Sequence, residues 1–329
     1  MHSFLIIALH SLSRWITSCA DVFSVLPIAL QYACACMIGL IMSNVLTVII
    51  YRIPLMLKHT WQQELAEYTK QSALRRIEDD KYDASSNPAD KQKPGSLEQI
   101  DSLSCCNLWM LNSPCTVCEH KLRLYKSIPL LNFCTWQGRC LTCGRSIDWC
   151  HLFMILTCPV LAALSLKAFG YTLTALIAFA FCAAILGMSA IDLETKLLPD
   201  ALTLPLLWAG LLINLHSVFV PLDAAVIGAV TGYISLWTVC WLFKLVCGGV
   251  EGIGYGDFKL FSAIGAWLGW NSLLQVILIA SVCGLIVGLS ATLAKRMRLT
   301  EPLPFGPFLG VAAVLTLFCG TPLYRLLGG

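Results

Sequence analysis

Two polar breaks in an otherwise very apolar chain carry carboxylates. One is Ala190-Ile191-Asp192-Leu193-Glu194-Thr195-Lys196-Leu197-Leu198-Pro199-Asp200; the other is Gly252-Ile253-Gly254-Tyr255-Gly256-Asp257-Phe258-Lys259. An ionisable side chain costs about 2.5 to 3.5 kcal/mol at the centre of a membrane helix and less toward its ends, and within such apolar runs it is a functional-site hypothesis by default. Two aspartates sharing one confined site cannot both ionise easily, so one keeps a proton near neutral pH while the other serves as base. That pair can activate water against a peptide carbonyl. The charged member takes the proton of the water, the neutral member polarises the carbonyl oxygen, and the roles then reverse to protonate the leaving amine. The glycines at 252, 254 and 256 predict a mobile loop before Asp257, open to close approach by an extended substrate. The plainer reading is that Asp192 and Asp257 are interfacial residues satisfied by Lys196 and Lys259.

A second constellation is Cys115-Thr116-Val117-Cys118 followed, after residues 119 to 139, by Cys140-Leu141-Thr142-Cys143. Two Cys-x-x-Cys turns at such a separation suit a zinc ribbon, because each turn offers two thiolates and two turns complete a tetrahedron. A pair of disulfides and a redox motif are the alternatives. A reducing cytosol disfavours the first, and a redox motif does not call for two matched pairs. Cys34, Cys36, Cys158, Cys182, Cys240, Cys283 and Cys319 sit inside apolar runs and read as small hydrophobes.

The elements that must position these groups are membrane helices. At 57% hydrophobic and 12% charged over 329 residues, the chain is a polytopic membrane protein. A net charge of +3 gives no support to a nucleic-acid partner. The amino-terminal stretch lacks the basic start of a signal peptide, although Ser18-Cys19-Ala20 loosely resembles a processing site. The first span is expected over about 22–51, ending at Arg52 and at Pro54 as a helix stop. Residues 52–150 form the one large polar block. In it an exposed helix is expected over 61–77, a disordered connector over 78–102, and then the cysteine pairs. From 152 onward, polar breaks at 167–171, 192–200, 217–223, 247–259, 270–272 and 295–304 divide seven further apolar runs. The expectation is thus an all-α protein with about eight transmembrane helices and a small zinc-ribbon-like cytosolic domain after the first. Its parts are 1–51, 52–150 and 151–329, the last holding both aspartates.

Thirteen of the 22 Lys and Arg lie between Arg52 and Arg145, and Lys295, Arg296 and Arg298 cluster in the last break. The positive-inside tendency places both regions in the cytosol. Counting spans from there puts Asp192 and Asp257 at one face, the face of the cysteine block.

The chain closely resembles the type IV prepilin peptidases, bifunctional leader peptidase/N-methyltransferases of bacterial inner membranes. The marks are Ile191-Asp192 with Leu198-Pro199-Asp200, Glu251 through Leu260, Pro304-Phe305-Gly306-Pro307, and the two cysteine pairs enclosing Ile128-Pro129-Leu130-Leu131. The resemblance implies a Gly-x-Gly-Asp aspartic protease with Asp192 and Asp257 as catalytic residues and Cys115, Cys118, Cys140 and Cys143 as zinc ligands. It implies prepilin and pseudopilin substrates, cut at the cytosolic face after the glycine that precedes their hydrophobic helix. Methylation of the new amino terminus from S-adenosylmethionine is implied too, with Gly138-Arg139 matching a pair connected to that step. Gly138 reads equally well as part of a zinc-knuckle turn, and Arg139 as a solvated charge. The chain departs from the family after the second cysteine pair, where Cys150-His151-Leu152-Phe153-Met154-Ile155 stands in place of an Arg-Tyr-Pro-x-x-Glu stretch, and at Ser127. That departure raises the alternative of a peptidase that no longer methylates. Two further classes are a non-catalytic scaffold for pilus or secretion assembly and a proton-relay transporter; the second expects charges at mid-helix, whereas here they keep to the ends. Gly265, Gly269, Gly306 and Gly310 are expected to serve close helix packing, and the Pro304–Pro307 stretch to start a helix.

Overall fold

The computed structural model describes residues 27–82, 149–246, 254–294 and 303–320. Among these residues there are eight helices and no strand. They are α1 (Ile28–Tyr82), α2 (Trp149–Phe169), α3 (Leu173–Thr195), α4 (Asp200–Asn214), α5 (Leu222–Val246), α6 (Tyr255–Leu268), α7 (Trp270–Leu293) and α8 (Gly306–Cys319). Helix is the natural solution for such runs, since in hydrocarbon every backbone N–H and C=O must be satisfied within its own segment. The breaks carry the expected punctuation. Gly170 and Gly269 follow α2 and α6 at φ 67° and 77°, a conformation that a Cβ disfavours. Thr172 caps α3 by accepting the Ala175 N–H at 3.3 Å.

Seven helices follow the polar block, as the polar breaks predict, but not all are long. Five helices are long and apolar enough to cross a membrane: Ile28–Pro54 within α1, Leu152–Phe169 within α2, and α3, α5 and α7. The other three, α4, α6 and α8, have 15, 14 and 14 residues. At about 1.5 Å per residue they rise roughly 21 to 23 Å, against about 30 Å of hydrocarbon. Polar breaks divide the chain into runs but do not say how much of each run is helical, so eight runs yield five helices of spanning length.

The first helix also departs from expectation. Pro54 lies inside α1, which continues for 55 residues in all and takes in both the exposed helix at 61–77 and the first residues of the expected connector. A proline removes one backbone hydrogen bond, and the Gln-, Glu-, Lys- and Ala-containing stretch beyond it favours helix strongly enough to carry on. Residues 61–71 are exposed. The remainder of the connector and the cysteine pairs lie outside the described residues.

Specific contacts show the helices alternating in direction. Asp200 meets Lys259 at the starts of α4 and α6, and the Asn214 amide donates to the Ala266 carbonyl at their ends, so these two run parallel. Between them α5 runs opposite to α6: Gly228 faces Gly265, Gly232 faces Phe261, and Ser262 Oγ donates to the Ala229 carbonyl at 2.6 Å. Gly310 sits over Ser189 and Ile185, making α8 antiparallel to α3. At the far end, Gln275 of α7 donates to the Gly320 carbonyl after α8, at 2.9 Å. Gly39 packs on Pro159 and Leu46 on Gly187, which tie α1 to α2 and α3. The carboxyl-terminal half of α1 and the start of α2 therefore lie at the bundle end that holds the ends of α3 and the starts of α4, α6 and α8.

The centre of the bundle is apolar and tightly filled. Phe181 stacks on Trp267 with ring centroids 4.6 Å apart, and the Trp267 indole N–H donates to the Leu206 carbonyl at 2.8 Å, so its polar edge is satisfied. The α5–α6 seam depends on missing side chains: a Cβ on Gly265 would overlap the Gly228 carbonyl. Gly265→Val is accordingly expected to destabilise the bundle by about 3 kcal/mol, read as a lowered thermal midpoint in detergent. Gly284→Ala, whose Cβ would meet Phe308 at an ordinary 3.5 Å, should leave the midpoint within about 0.5 kcal/mol of wild type.

Candidate functional site

The two aspartates come together where three helix ends converge. Asp192 lies in the last turn of α3 and Asp257 in the first turn of α6, with 4% and 7% of their surfaces exposed. The Gly306 N–H, at the start of α8, donates to Asp192 Oδ2 at 3.0 Å. A helix start concentrates unpaired N–H groups and positive potential, which favours a carboxylate there. Asp257 is placed differently: its Oδ1 is buried and has no hydrogen-bond partner. It lies outside the five long spans. Burial, and then the charge of Asp192, push its carboxyl up to about 7, against a smaller opposing pull from the Gly254 backbone. Asp192 is thus close enough to weigh on the protonation of Asp257, the condition for two carboxyls to share one proton.

At Gly254 and Gly256 the chain is not the open strap its glycines predict. Gly254 is the N-cap, and α6 begins at Tyr255, so Gly256 and Asp257 are already helical. Gly256 is small because Leu198 fills the space above it; a Cβ there would stand 2.7 Å from Leu198 Cβ and 3.3 Å from its carbonyl oxygen. The local need is close approach of two backbones, not freedom of movement. Gly252 lies outside the described residues.

Neither lysine neutralises the pair. Lys259 Nζ donates to both Asp200 oxygens, at 2.6 and 2.7 Å. Lys196 is the C-cap of α3 in the left-handed conformation, φ 55°, with its backbone N–H on the Asp192 carbonyl at 2.8 Å. Its role is to turn the chain. Lys196→Gly should therefore raise stability by roughly 0.5 to 1 kcal/mol, since a left-handed lysine is strained where glycine is not. Turnover should stay unchanged; a fall in rate would mean that the Lys196 charge matters to Asp192.

Three features of the site were not assigned to it from sequence. Gly306, read as a packing glycine in a helix start, is also the donor to Asp192. Leu198 touches the positions of a Cβ on Gly256 and on Gly306, at 2.7 and 3.3 Å, and so wedges between α6 and α8. Asp200 holds Lys259. The signal was present in Leu198-Pro199-Asp200 and Pro304–Pro307, but nothing in one sequence pairs positions 114 residues apart. Gly310 does serve packing: its Cβ would lie 2.5 Å from Ser189 Oγ. Among the described residues no group of three or more His, Cys, Asp or Glu could hold a metal. Cys115, Cys118, Cys140, Cys143, Gly138 and Arg139 lie outside them.

Comparison with known proteins places both aspartates inside a family match. Residues 176–289, which carry both aspartates, match the type IV leader peptidase family, and residues 37–169 match the bacterial Peptidase A24 N-terminal domain. A prepilin leader peptidase/N-methyltransferase of Burkholderia pseudomallei (strain 1026b) is 47% identical over 93% of this chain and 91% of its own. The chain belongs to the prepilin leader peptidase/N-methyltransferase family. Relatives bearing the same name in Dickeya chrysanthemi and Pseudomonas putida are 39% and 36% identical, over 85% and 88% of this chain and 90% and 91% of theirs. No solved structure matches. Family membership removes the scaffold and transporter readings, because both matched regions and the relatives' shared name describe an enzyme.

Proposed function

We propose that this protein removes the leader peptide of type IV prepilins and type II secretion pseudopilins, and then methylates the new amino-terminal residue. The observation that carries the reading is the meeting of Asp192 and Asp257 in one buried site at the end of the bundle, within the segment that matches the peptidase family. The asymmetry of the pair assigns roles. Asp192, which accepts the Gly306 N–H, is the charged member and takes the proton of the attacking water. Asp257, buried and with Oδ1 unpartnered, holds the proton and donates it to the carbonyl oxygen of the scissile bond. Collapse of the tetrahedral intermediate then breaks the C–N bond, sends the proton held by Asp192 to the leaving amine and returns a hydroxyl proton to Asp257. The hydrophobic helix of the substrate docks between spans, so that contacts remote from the bond position it.

The site faces the cytosol of an inner-membrane protein. In support, the chain leaves α1 and rejoins α2 at the same bundle end, and the intervening segment belongs to the region holding thirteen of the 22 Lys and Arg. The starts of α4, α6 and α8 lie at that same bundle end, beside Asp192 and Asp257. Cys115, Cys118, Cys140 and Cys143 hold a structural zinc in the block at 52–150. S-adenosylmethionine, when bound, supplies the methyl group, with Gly138 and Arg139 as the residues placed near it.

The test is mass spectrometry of a prepilin co-expressed with wild type, Asp192→Asn or Asp257→Asn. Wild type should yield the shortened chain with one added methyl, and both variants the uncut precursor. Cleavage surviving in either variant overturns the dyad. A shortened chain without the methyl supports the second reading, a peptidase alone, which the altered stretch Cys150–Ile155 favours.

A further inference from the structure

The first turn of α6 carries Asp257 and has few polar contacts of its own to fix its rotation. Its N-cap, Gly254, provides no side-chain hydrogen bond, and the turn is closed by the Asp257 N–H on the Gly254 carbonyl at 3.1 Å. Phe258 is buried and sets the depth of the turn. Positions two apart on a helix point to nearly opposite sides, so Lys259 projects away from Asp257. It projects onto Asp200, the first residue of α4, and donates to both carboxylate oxygens. The two side chains are 28% and 57% exposed. An ion pair that open contributes little to stability, and its worth lies in geometry. Drawing Lys259 outward to Asp200 turns the opposite side of the helix, with Asp257, inward toward α3. The same Leu198-Pro199-Asp200 connection places Leu198 against Gly256, and against Gly306, the donor to Asp192.

We propose that Asp200 and Lys259 are a positioning pair for the peptide-bond cleavage: their ion pair clamps the rotation of the α6 first turn and holds Asp257 in register with Asp192. The inference rests on the dyad proposed above. Neither residue touches the reacting atoms, and each acts through Asp257. A substitution that frees the turn should misplace Asp257 by a fraction of a turn without altering where the substrate helix docks.

The experiment is a mutant cycle on the full-length protein in detergent with a purified prepilin, using Asp200→Asn, Lys259→Met and the double variant. Asp257→Asn serves as the inactive reference, and kcat and KM are read separately. Each single variant should lose about fivefold in kcat, the most that a pair worth about 1 kcal/mol can shift the register of the turn, with KM within about 1.5-fold of wild type. The double variant should be no slower than the worse single variant, because the two substitutions remove one interaction. Lys259→Arg, which keeps a cation in reach of Asp200, should recover at least about two thirds of the wild-type kcat. Thermal midpoints should barely move. Wild-type kcat in both single variants overturns the clamp while leaving the dyad intact, as does a loss that appears only in KM, or additive losses in the double variant. Cleavage by Asp257→Asn instead overturns the dyad reading itself.

Discussion

Replacing Asp257 with asparagine is expected to lower prepilin cleavage by about 10³- to 10⁴-fold, and Asp192→Asn by a similar factor, because the acid and base of the proposed dyad act on the same transition state. Asparagine keeps the volume of the side chain and removes only the titrating proton. The loss is not a loss of fold. The wild-type Asp257 carboxyl sits up at about 7, held there by burial and by Asp192. A carboxyl raised in this way disfavours the folded state progressively as pH climbs from the ordinary carboxylate range toward 7, and asparagine carries no such charge. At pH 8 the thermal midpoint of Asp257→Asn should thus equal or exceed that of wild type. The same shift sets the alkaline side of the pH–rate profile. Cleavage should fall as pH rises through about 7, where the pair gives up its shared proton and both members become anions. A wild-type profile flat from pH 6 to pH 9 would contradict the shared-proton account.

Much of the helical layout was legible from hydrophobic runs and their interruptions. The breaks at 167–171, 192–200, 217–223 and 270–272 fall at helix ends because a run of apolar residues in lipid stays helical until a polar or glycine-bearing stretch offers a turn. Length was the part that hydropathy could not read. Asn214 and Gly269 show why. The Asn214 amide is spent on the Ala266 and Trp267 carbonyls at the end of α6, while its oxygen accepts the Phe219 N–H. That network closes two short helices at one level, and it exists only in three dimensions. Pro54 failed as a stop for the opposite reason: a local signal was overridden by the strong helix formers beyond it.

The site was legible as two carboxylates but not as a mechanism. Asp192 and Asp257 announce themselves as acids where hydrocarbon ends, and the charge pattern along the chain is enough to bring them to one face. Which lysine neutralises which acid could not be read from neighbours in sequence. Lys196 and Lys259 are near the two aspartates along the chain, yet one turns the backbone and the other reaches 59 residues back to Asp200. Glycine was the most ambiguous residue type. Gly256, read as a source of mobility, is a close approach to Leu198, and Gly306, read as packing, supplies a hydrogen bond to Asp192. A missing Cβ can serve either purpose, and only the identity of the atom across the gap distinguishes them.

Gly306→Ala is the substitution that separates those two uses of glycine. A Cβ at 306 would lie 2.7 Å from Asp192 Oδ2, 3.2 Å from its Cγ and 3.3 Å from Leu198 Cδ1. Leu198 has little room to give, being wedged against Gly256, so the carboxylate must move. Its 3.0 Å bond to the Gly306 N–H lengthens, and Asp192 loses both its charge stabilisation and its register with Asp257. A displacement on the ångström scale costs about 100-fold in kcat, whereas overpacking alone costs about 1 to 3 kcal/mol of stability. Gly310→Ala, one turn further along α8, provides the comparison. Its Cβ would meet Ser189 Oγ at 2.5 Å and Ile185 Cγ2 at 2.9 Å, an equally crowded position that does not touch Asp192. Both variants should melt earlier than wild type, but only Gly306→Ala should lose turnover at a temperature where both remain folded. Equal turnover losses in the two would mean that Gly306 is small only for the sake of packing, and that the base on Asp192 is held by something other than the first turn of α8.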